Sequence, residues 1–388
     1  GYGLRSKLSR VRLRATVQTL TSSATSTGPH SALTLIPLPL LLFPIVEAEA
    51  TLRVGIVGCG VIAPTHAEAY RGLEGVTVTA LCDLIPEKAR RLAERFGTTG
   101  PEIFEDYRCL LRSGKVDAVS VCTDHASHEE IALAALEAGI SVLCEKALST
   151  ERASLDRMVA AEEGSTAVAA GVFQHRFDPV YQSLREFLKA GRLGRIVNAN
   201  LSHQSHRSHA YYRGDEWRGT WWGEGGSLLI NQTIHFIDLL QWMLDGVEEV
   251  RALHSNLGHE SVIETEDTAA LALRFGNGAL GAVSASSASH LTWHVRLELV
   301  GSEGLLAFED GKLHACRFTD DARAVKARAL FAGEAEAVAS PSGRDYYGSS
   351  HPAQIRDFVR AVREDRPPRV SFAEARKAVD IVLSAYGR

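Results

Sequence analysis

The chain has 388 residues, of which 45% are hydrophobic and 23% are charged, and this balance is typical of globular proteins. Such a length can bury a sizeable core unaided, which excludes small disulfide-stapled folds, and the composition excludes collagen, coiled-coil and wholly disordered proteins. The formal net charge of -5 argues against a nucleic-acid partner and favours a protein that handles small molecules.

The first fifty residues differ in composition from the rest of the chain. No acidic residue precedes Glu47, and the segment 21–27 is almost entirely Ser, Thr and Ala. This composition resembles that of a targeting peptide, and residues 48–50 resemble an export cleavage site. The apolar run 32–46 is too short and too rich in proline to span a bilayer, so we expect no membrane contact. We expect 1–50 to be a disordered or targeting-like extension of a cytoplasmic protein, with export as the alternative.

The cysteines also indicate a cytosolic protein. The chain has six cysteines, none of them in a C-x-x-C pair, and several lie inside apolar runs, where buried reduced thiols are common. A structural zinc site would need closely spaced pairs of ligands, so the sequence predicts no metal.

A glycine-rich turn opens the folded part of the chain. The apolar, β-branched run 52–57 leads directly into Gly58-Cys59-Gly60-Val61-Ile62-Ala63, and a helix-compatible stretch follows. This order predicts strand, glycine turn and helix, in which the helix N-terminus binds a pyrophosphate. Gly58 permits the tight turn and Gly60 lets the phosphates approach the backbone, so we expect both, with Val61 and Ile62, to contact a dinucleotide.

An acidic residue at the end of the next strand indicates which dinucleotide binds. The strand predicted at 76–82 ends at Asp83, about 20 residues after the glycine turn, where a carboxylate can bind the ribose 2′-hydroxyl. A carboxylate would repel a 2′-phosphate, and neither Leu84 nor Ile85 supplies a cation. The sequence therefore predicts NAD as the cofactor; the alternative is that Asp83 only caps the turn.

Helices and strands continue to alternate, which predicts a doubly wound parallel sheet. The predicted helices span 86–96, 128–138 and 150–163, and the predicted strands span 118–122, 141–144 and 166–172. Ligands bind such sheets at the carboxyl ends of the strands. The candidates for nicotinamide contact there are Thr123, His125, His128, Glu145 and Lys146. A lysine in this position can equally be a solvated loop residue.

Beyond the glycine turn, three stretches carry a specific resemblance. They are 116–146, ending in Glu145-Lys146; 174–196, beginning Gln-His-Arg-Phe-Asp-Pro; and 225–238, Gly-Gly-Ser-Leu-Leu-Ile-Asn-Gln-Thr-Ile-His-Phe-Ile-Asp. From Arg53 to Tyr386 the chain resembles the Gfo/Idh/MocA oxidoreductases. It departs from their signatures where Ala147 replaces a proline, Ser227 a glycine and Asn231 an aspartate.

The resemblance implies an α/β fold with two domains. An NAD-binding Rossmann domain would span 51–172, a substrate and oligomerisation domain with an open, mostly antiparallel sheet 173–350, and C-terminal helices 351–388. Strand-like stretches separated by glycine-containing turns agree with such a sheet; they lie at 268–275, 279–285, 293–300 and 305–308. Because an open sheet exposes one face, we expect a homodimer or homotetramer that buries it.

Three polar residues of the third stretch recur at helical spacing. Asn231, His235 and Asp238 occupy positions i, i+4 and i+7, which predicts one shared helix face; the alternative is a satisfied core histidine. The resemblance implies that His235 and Lys146 line the pocket, where either can take a hydroxyl proton. We therefore expect Lys146, His235 and Asn231 to be the catalytic residues, with Asn231 orienting substrate hydroxyls.

An aromatic and basic segment, 203–222, precedes this signature. Aromatic rings stack on pyranose rings, and arginines bind hydroxyls, carboxylates or phosphates. We expect Tyr211, Trp217 and Arg218 to bind substrate. Arg176 is a further candidate, for which a surface ion pair is the alternative.

The sequence therefore predicts an NAD-dependent dehydrogenase that oxidises a secondary hydroxyl of a sugar, glycoside, sugar nucleotide or cyclitol. The pair Asn231-Gln232 is similar to sugar-oxidising and nucleotide-sugar-oxidising members, which favours C3 of a pyranose. Two alternatives are an NAD-dependent glycosidase that acts by transient oxidation and elimination, and a non-catalytic ligand sensor on the same fold.

Overall fold

The computed structural model describes residues 51–95, 100–332 and 350–388. The extension predicted at 1–50 lies outside the described residues. Within the described ranges, no helix combines the length and apolar character needed to cross a lipid bilayer.

The first domain contains six parallel strands with helices on both faces. The strands are β1 (Leu52–Val57), β2 (Val76–Cys82), β3 (Glu102–Phe104), β4 (Ala118–Val121), β5 (Ser141–Cys144) and β6 (Ala169–Gly171). Their order is β3-β2-β1-β4-β5-β6. The helices are α1 (Ala63–Arg71), α2 (Pro86–Arg95), α3 (Tyr107–Arg112), α4 (His128–Glu137) and α5 (Arg152–Gly164). The predicted doubly wound parallel sheet is confirmed.

Burial explains why the central strands β4 and β5 are mostly apolar. Every residue of β4 and β5 is buried, because helices cover both faces of a parallel sheet. The order reverses between β1 and β4, and such a reversal opens a crevice at the carboxyl ends of the strands. The sheet thereby places the glycine turn after β1 beside the residues that follow β4 and β5.

The second domain contains a seven-stranded sheet flanked by helices. Its strands are β7 (Ile196–His206), β8 (Val247–Ser255), β9 (Thr268–Phe275), β10 (Leu280–Ser286), β11 (Ala288–Gly301), β12 (Gly304–Glu309) and β13 (Lys312–Phe318). Their order is β13-β12-β11-β7-β10-β9-β8. Only the β7–β10 pair is parallel. The predicted open, mostly antiparallel sheet is confirmed.

Helices cover one face of this sheet. They are α6 (Pro179–Lys189), the short α7 (His209–Tyr212), α8 (Ile234–Met243) and α9 (Asp321–Ala332), and a π-helical stretch, Leu228–Thr233, leads into α8. Buried and exposed residues alternate along β9, as they do when one face of a strand is packed and the other is open.

Two C-terminal helices pack across both domains. α10 (His351–Glu364) and α11 (Phe372–Ala385) follow the second domain in the chain. Phe358 of α10 shares a buried apolar cluster with Tyr70 of α1 and Val54 of β1, and α11 packs on α5 and α8. These contacts place His351, the first residue of α10, at the cleft between the domains.

Candidate active site

A cleft of about 1170 Å³ runs from the glycine turn of the first domain to Asn231 and His235 of the second domain. This volume is larger than a site for one drug-sized ligand, which occupies up to about 1000 Å³. The predicted residues that line it are Gly58, Gly60, Val61, Ile62, Asp83, Thr123, His125, Glu145, Lys146, Tyr211, Trp217, Arg218, Asn231 and His235.

The glycine turn has the shape of a phosphate cradle. Gly58 has a φ of +88°, and a Cβ there would lie 2.5 Å from the carbonyl oxygen of Cys122, so only glycine fits without strain. A Cβ at Gly60 would meet no atom within 4 Å, which leaves room for phosphates at the start of α1. Ala63 is fully buried where α1 packs on the sheet.

Asp83 braces this turn from the end of β2. Its Oδ2 accepts a hydrogen bond from the amide of Cys59 at 2.8 Å, and its Oδ1 accepts one from the amide of Ile85 at 2.9 Å. The carboxylate therefore caps its own turn and also lines the cleft. Carboxylate oxygens accept more than one hydrogen bond each, so the cap leaves acceptor capacity for a ribose hydroxyl.

We expect Asp83→Asn to weaken NAD binding about ten- to one-hundred-fold, because a hydrogen bond to a charged group contributes about 1.5–3 kcal/mol. The ratio of the affinities for NAD and NADP should become smaller, because the negative charge that repels the 2′-phosphate is lost. Calorimetric titration with each dinucleotide measures both effects. Glu87→Gln, which removes an exposed carboxylate of α2, is the matched control. An unchanged NAD affinity in Asp83→Asn would contradict the ribose assignment.

Lys146 enters the cleft just after β5 and reaches the second domain. Its Nζ donates to the backbone oxygen of Asn231 at 2.8 Å and to Oδ1 of the same residue at 2.5 Å. Burial lowers the pKa of the amine to about 8, although the charges of Glu145 and Glu224 raise it. Lys146 can therefore change its charge near neutral pH.

Glu145 is held in its charged form beneath Lys146. Its Oε1 lies 2.8 Å from Nε2 of His66, whose Nδ1 lies 3.0 Å from the hydroxyl of Ser120. Although burial opposes it, the contact with His66 lowers the pKa of Glu145 to about 2. The carboxylate supplies a fixed negative charge next to the amine.

His235 presents an uncharged imidazole to the cleft. Burial, followed by the positive charge of Lys146, holds its pKa well below the usual value. Its ring packs edge-on against Phe173 and His175, and its Nδ1 has no hydrogen-bond partner among the described residues. A neutral imidazole keeps one unprotonated ring nitrogen, which can accept a proton.

Asp238 does not share the cleft face with Asn231 and His235, so the predicted common face is wrong for this residue. The π-helical stretch ends at Thr233, and Asp238 lies one turn beyond His235 in α8, where it does not line the cleft. Asp238 is 1% exposed and bonds to Arg176 beneath the cleft.

Arg176 is likewise wrongly predicted as a substrate contact. Its Nε and Nη2 each donate to the carboxylate of Asp238 at 2.7 Å, and its Nη1 donates to Glu374 at 3.1 Å. The side chain is 3% exposed, and these charge-assisted hydrogen bonds hold it away from the residues that line the cleft. Arg176 joins α8 to α11 instead of binding substrate.

The two histidines after β4 have different surroundings. His125 lines the cleft, where its Nδ1 bonds to the carbonyl oxygen of Glu224 at 2.8 Å and its ring contacts Trp217. His128, predicted as a nicotinamide contact, is fully buried, and its ring nitrogens bond to the carbonyl oxygens of Ala147 and Thr123. His128 therefore supports the loops behind the cleft, and the prediction that it touches the cofactor is wrong.

The aromatic segment forms an ordered wall at the other end of the cleft. Arg218 lies 4.6 Å from the ring centres of both Tyr211 and Trp217, and its Nε donates to Asp215 at 2.7 Å. The wall begins later than predicted, because residues 203–206 belong to β7 and His203 is fully buried. Aromatic rings held in place by a guanidinium can bind a ring-shaped ligand.

Two titratable residues beside the predicted site residues were not identified from the sequence. Glu224 is completely buried. A charged residue directly before Gly225-Gly226 was visible in the sequence and could have identified it. His351 comes from α10, far along the chain, and only the tertiary structure brings it near Glu145.

Comparisons with known proteins agree with this architecture. Residues 52–172 match the family described as an oxidoreductase family with an NAD-binding Rossmann fold, and residues 181–307 match the GFO/IDH/MocA C-terminal domain. The chain is 27% identical over 333 residues to a myo-inositol 2-dehydrogenase of Thermotoga maritima, covering 84% of this chain and 93% of the relative. It is 31% identical over 263 residues to an inositol 2-dehydrogenase of Paracoccus denitrificans, covering 66% and 73%.

Solved structures show the same fold. The WlbA dehydrogenase of Bordetella pertussis, in complex with NADH and UDP-GlcNAcA, is similar with a TM-score of 0.78 and 25% identity, covering 88% of this chain and 96% of that one. A levoglucosan dehydrogenase in complex with NADH and levoglucosan has a TM-score of 0.74 and 24% identity, covering 87% and 97%. The chain belongs to the Gfo/Idh/MocA family of NAD-dependent oxidoreductases.

Proposed function

We propose that this protein oxidises a secondary ring hydroxyl of a cyclitol or of a pyranose in a sugar, glycoside or sugar nucleotide. The observation that carries the proposal is the meeting of Lys146, Asn231 and His235 in one cleft that also contains the glycine turn. The names of the relatives support the substrate class, since they are inositol dehydrogenases. The aromatic wall of Tyr211, Trp217 and Arg218 lines the cleft, and aromatic rings of this kind can pack against a six-membered ring.

Removal of the hydroxyl proton is assigned to the two titratable groups of the site. Bound NAD would supply the acceptor for the hydride of the carbinol carbon. His235 is neutral and takes the proton, while the Lys146 ammonium stabilises the developing alkoxide. Asn231 holds the amine in place through two hydrogen bonds. Gly58, Gly60 and Asp83 would hold the dinucleotide, as the shape of the turn indicates.

A panel of cyclitols and sugars, tested by NADH absorbance with purified protein and NAD, examines this proposal. We expect at least one ring polyol to be oxidised, and wild-type protein inactive on the whole panel would count against it. For a pyranose we propose C3 as the position, because of the pair Asn231-Gln232 in the signature. Identification of the keto carbon in the product by NMR tests that position.

We also propose that the open sheet face joins two copies of the chain. Leu253 is 81% exposed and Leu280 is 51% exposed, and Ala270, Ala272 and Ala282 are exposed on the same face, with Arg251 and Arg274 beside them. Small side chains let a second sheet approach such a face closely. The occupant that fits is a second copy of the chain, because an identical flat face is self-complementary in shape.

Light scattering at micromolar concentration should therefore show a dimer or tetramer, and Ala272→Arg should lower the mass to that of one chain. Val325→Arg, which replaces an exposed apolar residue of α9 (60% exposed), is the matched control and should leave the mass unchanged. A monomeric wild-type protein would contradict the proposal.

A further inference from the structure

A second carboxylate lies one side chain behind the amine of Lys146. Glu224 is fully buried, and its Oε1 accepts a hydrogen bond from Nδ2 of Asn231. Oδ1 of Asn231 accepts a hydrogen bond from Nζ of Lys146 at 2.5 Å. Amine, amide and carboxylate thus form one continuous chain of hydrogen bonds.

Backbone groups fix this carboxylate on its other side. Oε2 of Glu224 accepts a hydrogen bond from the amide of Gly219 at 2.5 Å, and the carbonyl oxygen of Glu224 accepts one from His125 at 2.8 Å. Gly219 has a φ of +67°, and a Cβ there would lie 2.2 Å from the side chain of Ile263. Both carboxylate oxygens are therefore held, and the side chain cannot turn away from Asn231.

A buried carboxylate needs a positive partner, because an uncompensated charge is very costly away from water. Glu224 makes no direct ion pair among the described residues. Burial raises the pKa of its carboxyl, whereas the nearby cations Arg218 and Lys146 favour its charged form. The amide of Asn231 donates to the anion and accepts from the cation, so each hydrogen bond polarises the other.

We propose that Glu224 is a positioning residue, which acts through Asn231 to orient the Lys146 amine and to favour its charged form. The proposal rests on the proposed function, in which that amine contacts the substrate hydroxyl. Asn231 stands where the family signature has an aspartate, and Glu224 keeps a carboxylate in the site one side chain farther from the amine.

Other charges also face Lys146, and a test must separate Glu224 from them. The groups coupled to the amine are Glu145, Glu224, Arg207, Arg218, His125 and His235. Glu224→Gln keeps the size of the side chain and one of its two acceptor oxygens but removes its charge. Glu130→Gln is the matched control, because Glu130 lines the same cleft but pairs with Arg108.

The measurement is the pH dependence of acylation at Lys146 by acetic anhydride in the full chain, quantified by peptide mass spectrometry. We expect a midpoint near 8 in the wild type and a fall of about one pH unit in Glu224→Gln, as for the loss of a nearby opposite charge. Glu130→Gln should keep the wild-type midpoint. An unchanged midpoint in Glu224→Gln would overturn the proposal.

Moving the carboxylate provides a second test. The double variant Asn231→Asp/Glu224→Gln places a carboxylate next to the Lys146 amine. The midpoint of acylation at Lys146 should then return to the wild-type value or exceed it. A double variant with the low midpoint of Glu224→Gln would overturn the proposal. Should Glu224→Gln alone not fold, Asn231→Asp serves as the reference; its midpoint must exceed that of the double variant, and equal midpoints would contradict a role for the Glu224 charge.

This readout needs no substrate. A protein that oxidises none of the polyols but shows the shifted midpoints would refute the proposed function and leave the Glu224 proposal intact. Normal oxidation with unshifted midpoints would do the reverse.

Discussion

Turnover should fall by about two to four orders of magnitude in Lys146→Ala and in His235→Ala, the usual range for lost general acid–base help. The two side chains approach the cleft from different domains, since Lys146 follows β5 and His235 lies at the start of α8. Each residue would supply a different part of proton removal, so the residue that remains should not restore turnover in either variant. NAD affinity should change much less, because the glycine turn and Asp83 remain in place.

Single-variant kinetics across pH measure this effect once a substrate is known. The wild type should show an inflection near pH 8, where burial places the pKa of Lys146, and the inflection should vanish in Lys146→Ala. A fall in turnover above pH 8 assigns Lys146 the role of the cation, and a rise assigns it the role of the base. Lys115→Ala, which removes an exposed lysine paired with Glu102, is the control. His235→Ala with near wild-type turnover at every pH would exclude His235 from the proton step.

Asp238→Ala should lower the free energy of unfolding by about 3–5 kcal/mol, because it leaves the buried guanidinium of Arg176 without its bidentate partner. Arg176 would retain only Glu374, whose side chain is 38% exposed. Glu87→Ala breaks an exposed ion pair with Arg90 and should cost no more than about 1 kcal/mol. Urea unfolding of the three proteins measures the difference.

The double variant Arg176→Met/Asp238→Leu separates stability from function. Apolar side chains of similar volume often replace a buried ion pair without loss of stability, so this variant should regain most of what Asp238→Ala loses. Its substrate KM should match that of the wild type, since neither residue lines the cleft. A large rise in KM in a stable double variant would restore Arg176 as a substrate contact.

Local patterns predicted the elements whose residues alternate or follow a glycine turn. The strand expected at 268–275 is β9 (Thr268–Phe275), because its apolar side chains alternate as in a sheet with one open face. β3 was missed because three residues, Glu102–Phe104, are too few to show a period. β7 was missed over much of its length because its histidines and serines resemble a polar loop, although His203 and Ser205 are buried.

The candidate site likewise contains residues that the sequence predicts and contacts that only the tertiary structure shows. Lys146, Asn231 and His235 were predicted from their positions after a strand and on one helical run, together with the family resemblance. The partners of a buried polar group are not local: Arg176 bonds to Asp238 and Glu374. Sequence reasoning can therefore identify a polar residue near a site without showing whether its donors face the ligand or the interior.

The most direct test of the account is transfer of deuterium from substrate carbon to NAD. The protein is incubated with NAD and cyclitols or pyranoses deuterated at every ring carbon, and the nicotinamide product is examined by mass spectrometry. We expect NADH that carries one deuterium, formed together with a ketone in the wild type and about two to four orders of magnitude more slowly in Lys146→Ala. Cleavage of a deuterated glycoside without net deuterated NADH, or no transfer to NAD from any polyol of the panel, would contradict the account.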